Sequence, residues 1–225
     1  HFDRNAELEQ SLEQSGKTEE LAVIQGISDM AELYYVRQKS PKGLGHAVGC
    51  GQAFVNHEPF YVLLGDVIVP DHDILPRMLE VHKATGASVI AVEPVPAEMV
   101  SRYGVIGGEE LDDGTWRVTE LVEKPPVEDA PSNLAIFGRY LLSPRVMDIL
   151  ASTQPGRGGE IQLTDALVTL LEEEPIYAVV IEPGTGFDTG NVVSWLEANV
   201  AIALRDERFA PALRQSIEKL IDATR

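Results

Sequence analysis

Apolar positions along the chain group into segments that predict alternating strands and helices. Residues 60–64 and 88–92 are nearly continuous apolar runs, which are typical of strands buried on both faces. Between them, one face of a predicted amphipathic helix carries Leu75, Met78 and Leu79. A strand, a helix and a second strand in this order predict an α/β fold with a Rossmann-like, mixed but mainly parallel sheet flanked by helices.

After Pro94 the pattern changes to shorter β segments separated by turn residues. Three such segments, residues 103–106, 116–122 and 133–142, are predicted to add antiparallel strands to the first sheet. A short strand-like stretch, residues 33–36, also occurs before the first glycine-rich turn.

The remaining segments have helical spacing, with one further strand at residues 176–181. Leucines recur along one predicted helix at positions 163, 167, 170 and 171. Further helices are predicted at residues 6–14, 191–205 and 210–223. The last of these is predicted to pack on the body of the protein or on a second subunit.

The charge balance limits the partners of the protein. The sequence has 36 acidic and 18 basic residues, giving a formal net charge of −18. Such a field repels nucleic acid and anionic membranes, so neither is an expected partner. No apolar run approaches the ~20 residues that a membrane-spanning helix requires. The single cysteine, Cys50, is typical of a protein in a reducing cytoplasm.

Two acidic residues follow predicted strands and are candidates for metal binding. Asp66 comes directly after the apolar run at residues 60–64, and Asp188 follows the predicted strand at residues 176–181. Ligands of open parallel sheets bind beyond the carboxyl ends of strands, where a carboxylate can hold Mg²⁺ against phosphates. The alternatives are that Asp66 caps its loop and that Asp188 or Asn191 caps the next helix.

Two further segments are candidates for ligand binding. Gly43 and Gly45 lie in a strand-to-helix turn, where exposed backbone N–H groups attract anionic or polar ligand groups. A tight turn without a ligand is the alternative. Glu123 and Lys124 precede two prolines, so the carboxylate could accept sugar hydroxyls while the ammonium meets a phosphate. The alternative there is a pair of solvated charges.

Taken together, these segments resemble one family, the bacterial UTP–glucose-1-phosphate uridylyltransferases of the nucleotidyltransferase class. The resemblance covers nearly the whole chain, and its segments occur in the order and rough spacing of that family. They are Gln38 with KGLGHA, then LLGDVIVPD, YGVI, VEKP, APSNLAIFGRYLL, GGEIQLTDA and FDTGN.

The resemblance implies nucleotide-binding and metal-binding roles for five residues. Gln38 would read the uracil edge, while Gly43 and Gly45 would let the nucleotide lie close to the backbone. Asp66 and Asp188 would hold Mg²⁺ and act in catalysis. The substrates would be UTP and glucose 1-phosphate, and the products UDP-glucose and pyrophosphate.

The resemblance also implies a sugar-phosphate site and an assembly. Gly104 would contact the sugar ring, Glu123 would bind glucose hydroxyls, and Lys124 would meet the sugar phosphate as a third catalytic residue. Residues 1–205 would form the catalytic domain, and residues 206–225 a helical tail with a possible part in oligomerisation. Homodimers or homotetramers built partly by the later helices are expected.

One departure from the family pattern lies at the start of the sequence. The family begins with a strand and a glycine-rich loop, roughly G-x-G-T-R, that cradles the triphosphate, whereas this sequence opens at HFDRN. The sequence as it stands is therefore expected to have little or no activity.

Three other functions remain open from the sequence. Asp71-His72-Asp73 has the D-x-D form with which metal-dependent glycosyltransferases hold a nucleotide-sugar diphosphate. A catalytically silent subunit that binds a sugar nucleotide is a second alternative. A related pyrophosphorylase acting on another sugar or base is the third, and Gln38 with KGLGHA argues against it.

Overall fold

The computed structural model describes residues 3–70 and 74–223 of the chain. Its backbone divides into two compact units, His1–Arg37 and Gln38–Arg225. The first unit contains helix α1 (Ala6–Gln14) and helix α2 (Thr18–Ser28). The side chain of Asn5 caps α1 by accepting a hydrogen bond from the Leu8 amide at 3.1 Å. The helix predicted at residues 6–14 is thus confirmed.

The strand-like stretch at residues 33–36 has no regular secondary structure, so that expectation was wrong. A strand is stabilised by its hydrogen-bonded neighbours rather than by β propensity alone. The described part of the first unit contains no strand with which this stretch could pair.

The second unit combines helices and strands in alternation. Its helices are α3 (Leu44–Gly49), α4 (Gln52–Val55), α5 (Ile74–Thr85), α6 (Arg145–Ser152), α7 (Leu163–Glu173), α8 (Val192–Ala203) and α9 (Ala210–Ala223). Its strands are β1 (Phe60–Leu63), β2 (Val67–Ile68), β3 (Ser88–Pro94), β4 (Gly104–Glu110), β5 (Trp116–Glu123), β6 (Leu134–Leu142), β7 (Ile176–Val180) and β8 (Phe187–Asp188). Short 3₁₀ helices cover Ala97–Arg102, Val127–Asp129 and Arg157–Gly159.

Six of these strands form one mixed sheet in the order β1-β6-β3-β7-β5-β4, and β4 also pairs with β6. β1, β3, β7 and β4 run in one direction, and β6 and β5 run in the other. Among the described strands of this sheet, β3 and β7 are the neighbours that pair in parallel. Most strands thus share one direction, although most neighbouring pairs are antiparallel. The predicted mixed α/β fold with added antiparallel strands is confirmed.

The centre of the sheet is β3, whose side chains are buried alternately in two separate cores. Ile90 and Val92 join one apolar cluster with α6 and α7. Val89 and Ala91 point to the opposite face and join a second cluster with α5. Successive side chains of a strand face opposite sides, so a strand covered on both faces reads as a continuous apolar run. The sequence pattern of residues 88–92 has this origin.

β1 differs from the expectation that it is buried on both faces. Phe60, Tyr61 and Val62 are half-buried, and Leu63 is exposed. The reason is its place at the edge of the sheet, where within the described residues it pairs with β6 alone. The apolar run therefore predicted the strand correctly but not its burial.

No helix within residues 3–70 and 74–223 combines the length and apolar character that crossing a membrane requires.

The burial of α7 gives a test of the fold. Leu167 is fully buried among the leucines of this helix, whereas its neighbour Val168 points outward. Leu167→Ala should lower the free energy of unfolding by about 2–5 kcal/mol, because it removes buried methyl groups and leaves a cavity. Val168→Ala, the matched control, should change it by less than about 0.5 kcal/mol. Urea unfolding of both variants measures the difference, and equal effects would contradict this packing.

Candidate active site

Asp66 lies in a tight turn that follows β1. The turn is closed by a hydrogen bond from the Val67 amide to the Leu64 carbonyl at 3.2 Å. The main-chain oxygen of Asp66 accepts two bonds from Thr189, one from its amide at 2.7 Å and one from its hydroxyl at 2.8 Å. The backbone of Asp66 is thereby fixed, while its carboxylate points to solvent.

Asp188 is brought beside this turn by a second, two-stranded sheet. β2 pairs antiparallel with β8, so that Val67 lies opposite Asp188. A methyl group built on Gly190 would lie 3.0 Å from an Asp188 carboxylate oxygen and 3.4 Å from an Asp66 carboxylate oxygen. The two carboxylates therefore face the same small space, as the hypothesis of a shared cation requires.

The two oxygens of Asp188 already have partners within the protein. One accepts a hydrogen bond from the Gly190 amide at 2.9 Å, and the other accepts one from the Tyr103 hydroxyl at 3.0 Å. The alternative that Asp188 or Asn191 caps the next helix is confirmed for Asn191 and wrong for Asp188. Asn191 caps α8, because its side-chain oxygen accepts from the Ser194 amide at 3.0 Å.

Tyr103 is a site residue that sequence reasoning missed. Burial, and after it the adjacent carboxylate of Asp188, raises the pKa of Tyr103 to about 12. The hydroxyl thus stays a donor at neutral pH and orients Asp188. The motif YGVI contains this residue, but nothing in one sequence indicates that a tyrosine after a 3₁₀ helix reaches an aspartate 85 positions later.

Glu123 is the last residue of β5, and Lys124 follows it directly, next to Tyr103. The Lys124 ammonium lies 3.3 Å from a carboxylate oxygen of Glu123, whose side chain is 12% exposed against 42% for Lys124. Lys124 has a φ of 48°, which is unusual for a residue with a side chain. Its amide bonds to the Tyr103 carbonyl at 2.9 Å, which holds it in this conformation.

Gly104 is buried between Glu123 and the start of α7. A methyl group at Gly104 would lie 3.0 Å from the Thr164 hydroxyl oxygen and 3.2 Å from a carboxylate oxygen of Glu123. A side chain here would therefore crowd these neighbours. Thr164, which sequence reasoning did not single out, forms the neighbouring part of the site and is buried.

Asp165 adds a further carboxyl group next to Glu123. Burial raises the pKa of Asp165 above its ordinary value, and the charge of Glu123 raises it further. The pKa of buried Tyr140 is likewise raised, first by burial and then by Glu123 and Asp66. Both carboxylates are thus near enough to Tyr140 to affect its pKa.

Glu93 fixes the loop that leads into β8. This carboxyl group is buried at the end of β3 and accepts a hydrogen bond from the Gly184 amide at 2.9 Å. Burial raises the pKa of Glu93, and the bond from Gly184 opposes that shift. The loop is thus tied to the central strand of the sheet, four residues before Asp188.

Gln38, Gly43 and Gly45 form a separate part of the candidate site. The Gln38 side-chain nitrogen lies 3.1 Å from the Gly43 carbonyl oxygen and 2.8 Å from Nδ1 of His46. The Gly45 amide donates to the Ile161 carbonyl at 2.9 Å, and the Ile161 amide donates to the Lys42 carbonyl at 2.7 Å. This turn is therefore bound to the segment that precedes α7.

The two glycines have a structural requirement of their own. Methyl groups at Gly43 and Gly45 would lie 2.6 Å and 2.9 Å from the Ile161 carbonyl oxygen. Gly43 also has a φ of 99°, which favours glycine. The tight-turn alternative thus accounts for both residues, and their contact with a nucleotide stays a prediction.

All eight residues predicted for the site belong to the second unit. The turn with Gly43 and Gly45 contacts residues 160–162, which precede α7, and Thr164 in the first turn of α7 lies next to Gly104. Tyr103 precedes Gly104 in the chain, and its carbonyl accepts a hydrogen bond from the Lys124 amide. Its hydroxyl donates to Asp188. The predicted D-x-D motif, Asp71-His72-Asp73, lies outside the described residues.

The carboxylates suit a hard divalent cation that keeps other ligands. Within the described residues no group of three or more His, Cys, Asp or Glu side chains could hold a metal ion. Asp66 and Asp188 supply oxygen ligands from two elements. Mg²⁺ typically takes one or two protein carboxylates and completes its shell with water and substrate phosphates. The residues present therefore fit Mg²⁺ bound together with a phosphorylated ligand.

A surface cavity of about 700 Å³ lies elsewhere, between α5 and the β4–β5 hairpin. None of the predicted site residues lines it. Gly45 lines a smaller cavity of about 270 Å³ together with His46 and Ile161.

Comparisons with known proteins place the chain among nucleotidyl transferases. Residues 3–205 match the family described as nucleotidyl transferase. A relative from Methanocaldococcus jannaschii, provisionally named a UTP–glucose-1-phosphate uridylyltransferase, is 47% identical over 98% of this chain and 76% of its own length. A UTP–glucose-1-phosphate uridylyltransferase from Staphylococcus epidermidis is 42% identical over the same shares of the two chains.

Solved structures agree with this placement. A UDP-glucose pyrophosphorylase in complex with UDP-glucose has a TM-score of 0.80 and 40% identity, covering 91% of this chain and 75% of its own. The UTP-bound enzyme from Acinetobacter baumannii has a TM-score of 0.86 and 37% identity, covering 97% and 77%. The chain thus spans about three quarters of the length of these proteins.

The packing of Gly45 leads to a prediction about stability without any nucleotide. Gly45→Ala should lower the free energy of unfolding by about 1–3 kcal/mol, because its methyl group would overlap the backbone of residues 161–162. Gly49→Ala, on the same helix, is the control, since its nearest neighbour would be Leu150 at 3.9 Å. Urea unfolding without ligands measures both, and an undisturbed Gly45→Ala would show that Gly45 is not needed for this contact.

Proposed function

Because the chain belongs to the nucleotidyl transferase family, we propose that it transfers a uridylyl group from UTP to glucose 1-phosphate, giving UDP-glucose and pyrophosphate. One observation carries this proposal. Two carboxylates that are far apart in the sequence, Asp66 and Asp188, face the same space. Tyr103 connects this pair to Glu123 and Lys124. A cation site beside a glutamate–lysine pair is what two anionic reactants require.

The reaction needs positioning and charge neutralisation rather than a general base. An oxygen of the sugar phosphate attacks the α-phosphorus of UTP, the bond to the β-phosphate oxygen breaks, and pyrophosphate leaves. The attacking oxygen is already anionic, so no proton has to be removed. The protein therefore acts by holding the reactants in line and by stabilising the charge of the transition state.

The proposed sugar-phosphate site combines two side chains of opposite charge and different exposure, Glu123 and Lys124. The Glu123 carboxylate is nearly buried, so it accepts hydroxyl hydrogen bonds from the sugar ring in a water-poor setting. The more exposed Lys124 ammonium meets the phosphate and reduces its repulsion from the acidic protein. The fixed backbone of Gly104 forms the floor beneath the sugar.

The proposed nucleotide site uses the turn at Gln38. The side-chain amide of Gln38 can pair with the uracil edge, which presents both a donor and acceptors. Its nitrogen is already oriented by Gly43 and His46. Gly43 and Gly45 present backbone to the nucleotide on the side away from residues 160–162.

Members of this family generally use a divalent metal. We propose Mg²⁺ as that metal, with Asp66 and Asp188 as its protein ligands. When bound, it would neutralise phosphate charge. Asp66 and Asp188 contribute ionised oxygens, and Tyr103 and Gly190 keep Asp188 turned toward the shared space.

The assembly and the domain boundary are further parts of the proposal. α8 exposes a row of apolar side chains that includes Val192, Val193 and Leu196. Exposed apolar patches of this kind mark interfaces, which supports a homodimer or homotetramer built by the later helices.

We assign residues 1–205 to the catalytic domain and residues 206–225 to a helical tail. The low cysteine content supports a cytoplasmic location.

The glycosyltransferase alternative differs in its product. A glycosyltransferase releases a nucleoside diphosphate, whereas the proposed reaction releases pyrophosphate. The similar proteins named above are uridylyltransferases and pyrophosphorylases, and neither name describes sugar transfer to an acceptor. The proposed reaction is therefore preferred over this alternative.

The first test removes one metal ligand. Asp66→Asn in the full-length gene product should lower turnover by a factor of about 10² or more, because a preorganised charge is lost. Pyrophosphate release from UTP and glucose 1-phosphate at saturating Mg²⁺ is the measurement. Asp148→Asn, an exposed acid on α6, is the control and should retain turnover. Full turnover of Asp66→Asn would remove Asp66 from the metal site.

The second test separates the two substrates. Glu123→Gln should raise the KM for glucose 1-phosphate by about 10-fold or more, because hydrogen bonds to a charged acceptor are lost. The KM for UTP should stay within about 2-fold, since no UTP contact is assigned to Glu123. Initial-rate kinetics give both values, with exposed Glu120→Gln on the same strand as control. Equal changes in both KM values would count against the assignment.

A further inference from the structure

Arg139 is bound to the turn that carries Asp66. It lies in β6 opposite Leu63, the last residue of β1. One guanidinium nitrogen donates to the Leu64 carbonyl at 3.2 Å and to the Gly138 carbonyl at 3.1 Å. The other donates to the Val67 carbonyl at 2.7 Å. The half-buried guanidinium thus uses main-chain oxygens of the protein as its acceptors.

These acceptors lie on both sides of Asp66. Leu64 and Val67 are the first and last residues of the turn, with Gly65 and Asp66 between them. The planar guanidinium presents its donors in a fixed fork, so one side chain holds both ends of the turn at once. A lysine ammonium is a single point charge and cannot reproduce this spacing.

The backbone of β6 packs against the same turn. The Leu64 amide donates to the Gly138 carbonyl at 3.0 Å. Gly138 has a φ of 59°, and a methyl group there would lie 2.7 Å from a methyl carbon of Val67. The turn is therefore held by β6 on one side and by Thr189 of the neighbouring β8 segment on the other.

The charge of Arg139 also acts on the site. Burial lowers the pKa of Arg139, and the carboxylate of Asp66 opposes that shift. Asp66 and Asp188 repel each other while no cation lies between them, in a chain whose net charge is −18. A fixed positive charge beside Asp66 reduces this repulsion without occupying the cation position.

We propose that Arg139 is a positioning residue that sets the divalent-cation affinity of the Asp66–Asp188 pair by holding both ends of the Asp66 turn. This inference rests on the proposed function, because it takes that pair as the metal site. Arg139 touches neither metal nor substrate in this assignment. It acts by fixing the turn that carries Asp66. Residues that orient metal ligands through hydrogen bonds commonly change metal affinity in this way.

Binding of Mn²⁺, a spectroscopic substitute for Mg²⁺, tests the proposal in the full-length gene product. Mn²⁺ is titrated alone and with saturating UDP-glucose, and free Mn²⁺ is followed by electron paramagnetic resonance. Arg139→Lys should weaken Mn²⁺ binding by about 10-fold to 100-fold. Arg145→Lys is the matched control, because Arg145 also makes three guanidinium hydrogen bonds, to Glu173 and Asp148, on the surface of α6.

Asp66→Asn in the same titration separates the inference from the proposed function. If the parent protein binds no Mn²⁺, or if Asp66→Asn binds it as well as the parent does, the proposed metal site and the role of Arg139 are both overturned. If Asp66→Asn loses binding while Arg139→Lys stays within about 2-fold of the parent, only the role of Arg139 is overturned.

Amide hydrogen exchange distinguishes positioning from general stability. Arg139→Lys should speed exchange at the Val67 and Thr189 amides, which close the turn, while the amides of β3 keep their parent rates. Faster exchange throughout the sheet would assign Arg139 to the core and overturn the proposal. Failure of Arg139→Lys to fold, while Arg145→Lys folds, would overturn it as well.

Discussion

The candidate site depends on a very small piece of sheet, the pairing of β2 with β8. Asp66 and Thr189 are 123 positions apart in the chain, and two hydrogen bonds to one carbonyl oxygen bring them together. Bringing such distant segments into contact costs conformational entropy, which local bonds alone do not offset. The rest of the fold has to keep β1 and β7 in place so that the segments after them can meet.

The central strand supplies that support. β3 is buried on both faces and pairs with both β6 and β7, so it fixes β7 directly and β1 through β6. β6 then carries Arg139 and Gly138 to the Asp66 turn, while Glu93 at the end of β3 ties down the loop before Asp188. One buried or half-buried charged side chain thus supports the segment around each carboxylate, Arg139 for Asp66 and Glu93 for Asp188.

How much of this could be predicted from the sequence differs between its parts. Apolar runs predicted most strands, and Asp66 indeed follows β1, whereas Asp188 lies in β8, a short strand that the sequence pattern did not predict. Periodicity reports burial and spacing, so it could not indicate that residues 33–36 have no partner strand or that β1 is an edge. Long-range hydrogen bonds of single side chains, such as the bond from Tyr103 to Asp188, leave no local pattern at all. Gly43 and Gly45 show a related limit, since a glycine required by its own chain looks like one required by a ligand.

The geometry of Lys124 links its position to that of Asp188. A left-handed φ at a lysine is strained, at a cost of roughly 1–3 kcal/mol, and it persists because the Lys124 amide is bonded to Tyr103. The same tyrosine orients Asp188 through its hydroxyl. Tyr103 therefore couples the position of the Lys124 side chain to that of the Asp188 carboxylate. These hydrogen bonds hold both groups within the protein itself, so under the proposed function the binding of the reactants does not have to order them.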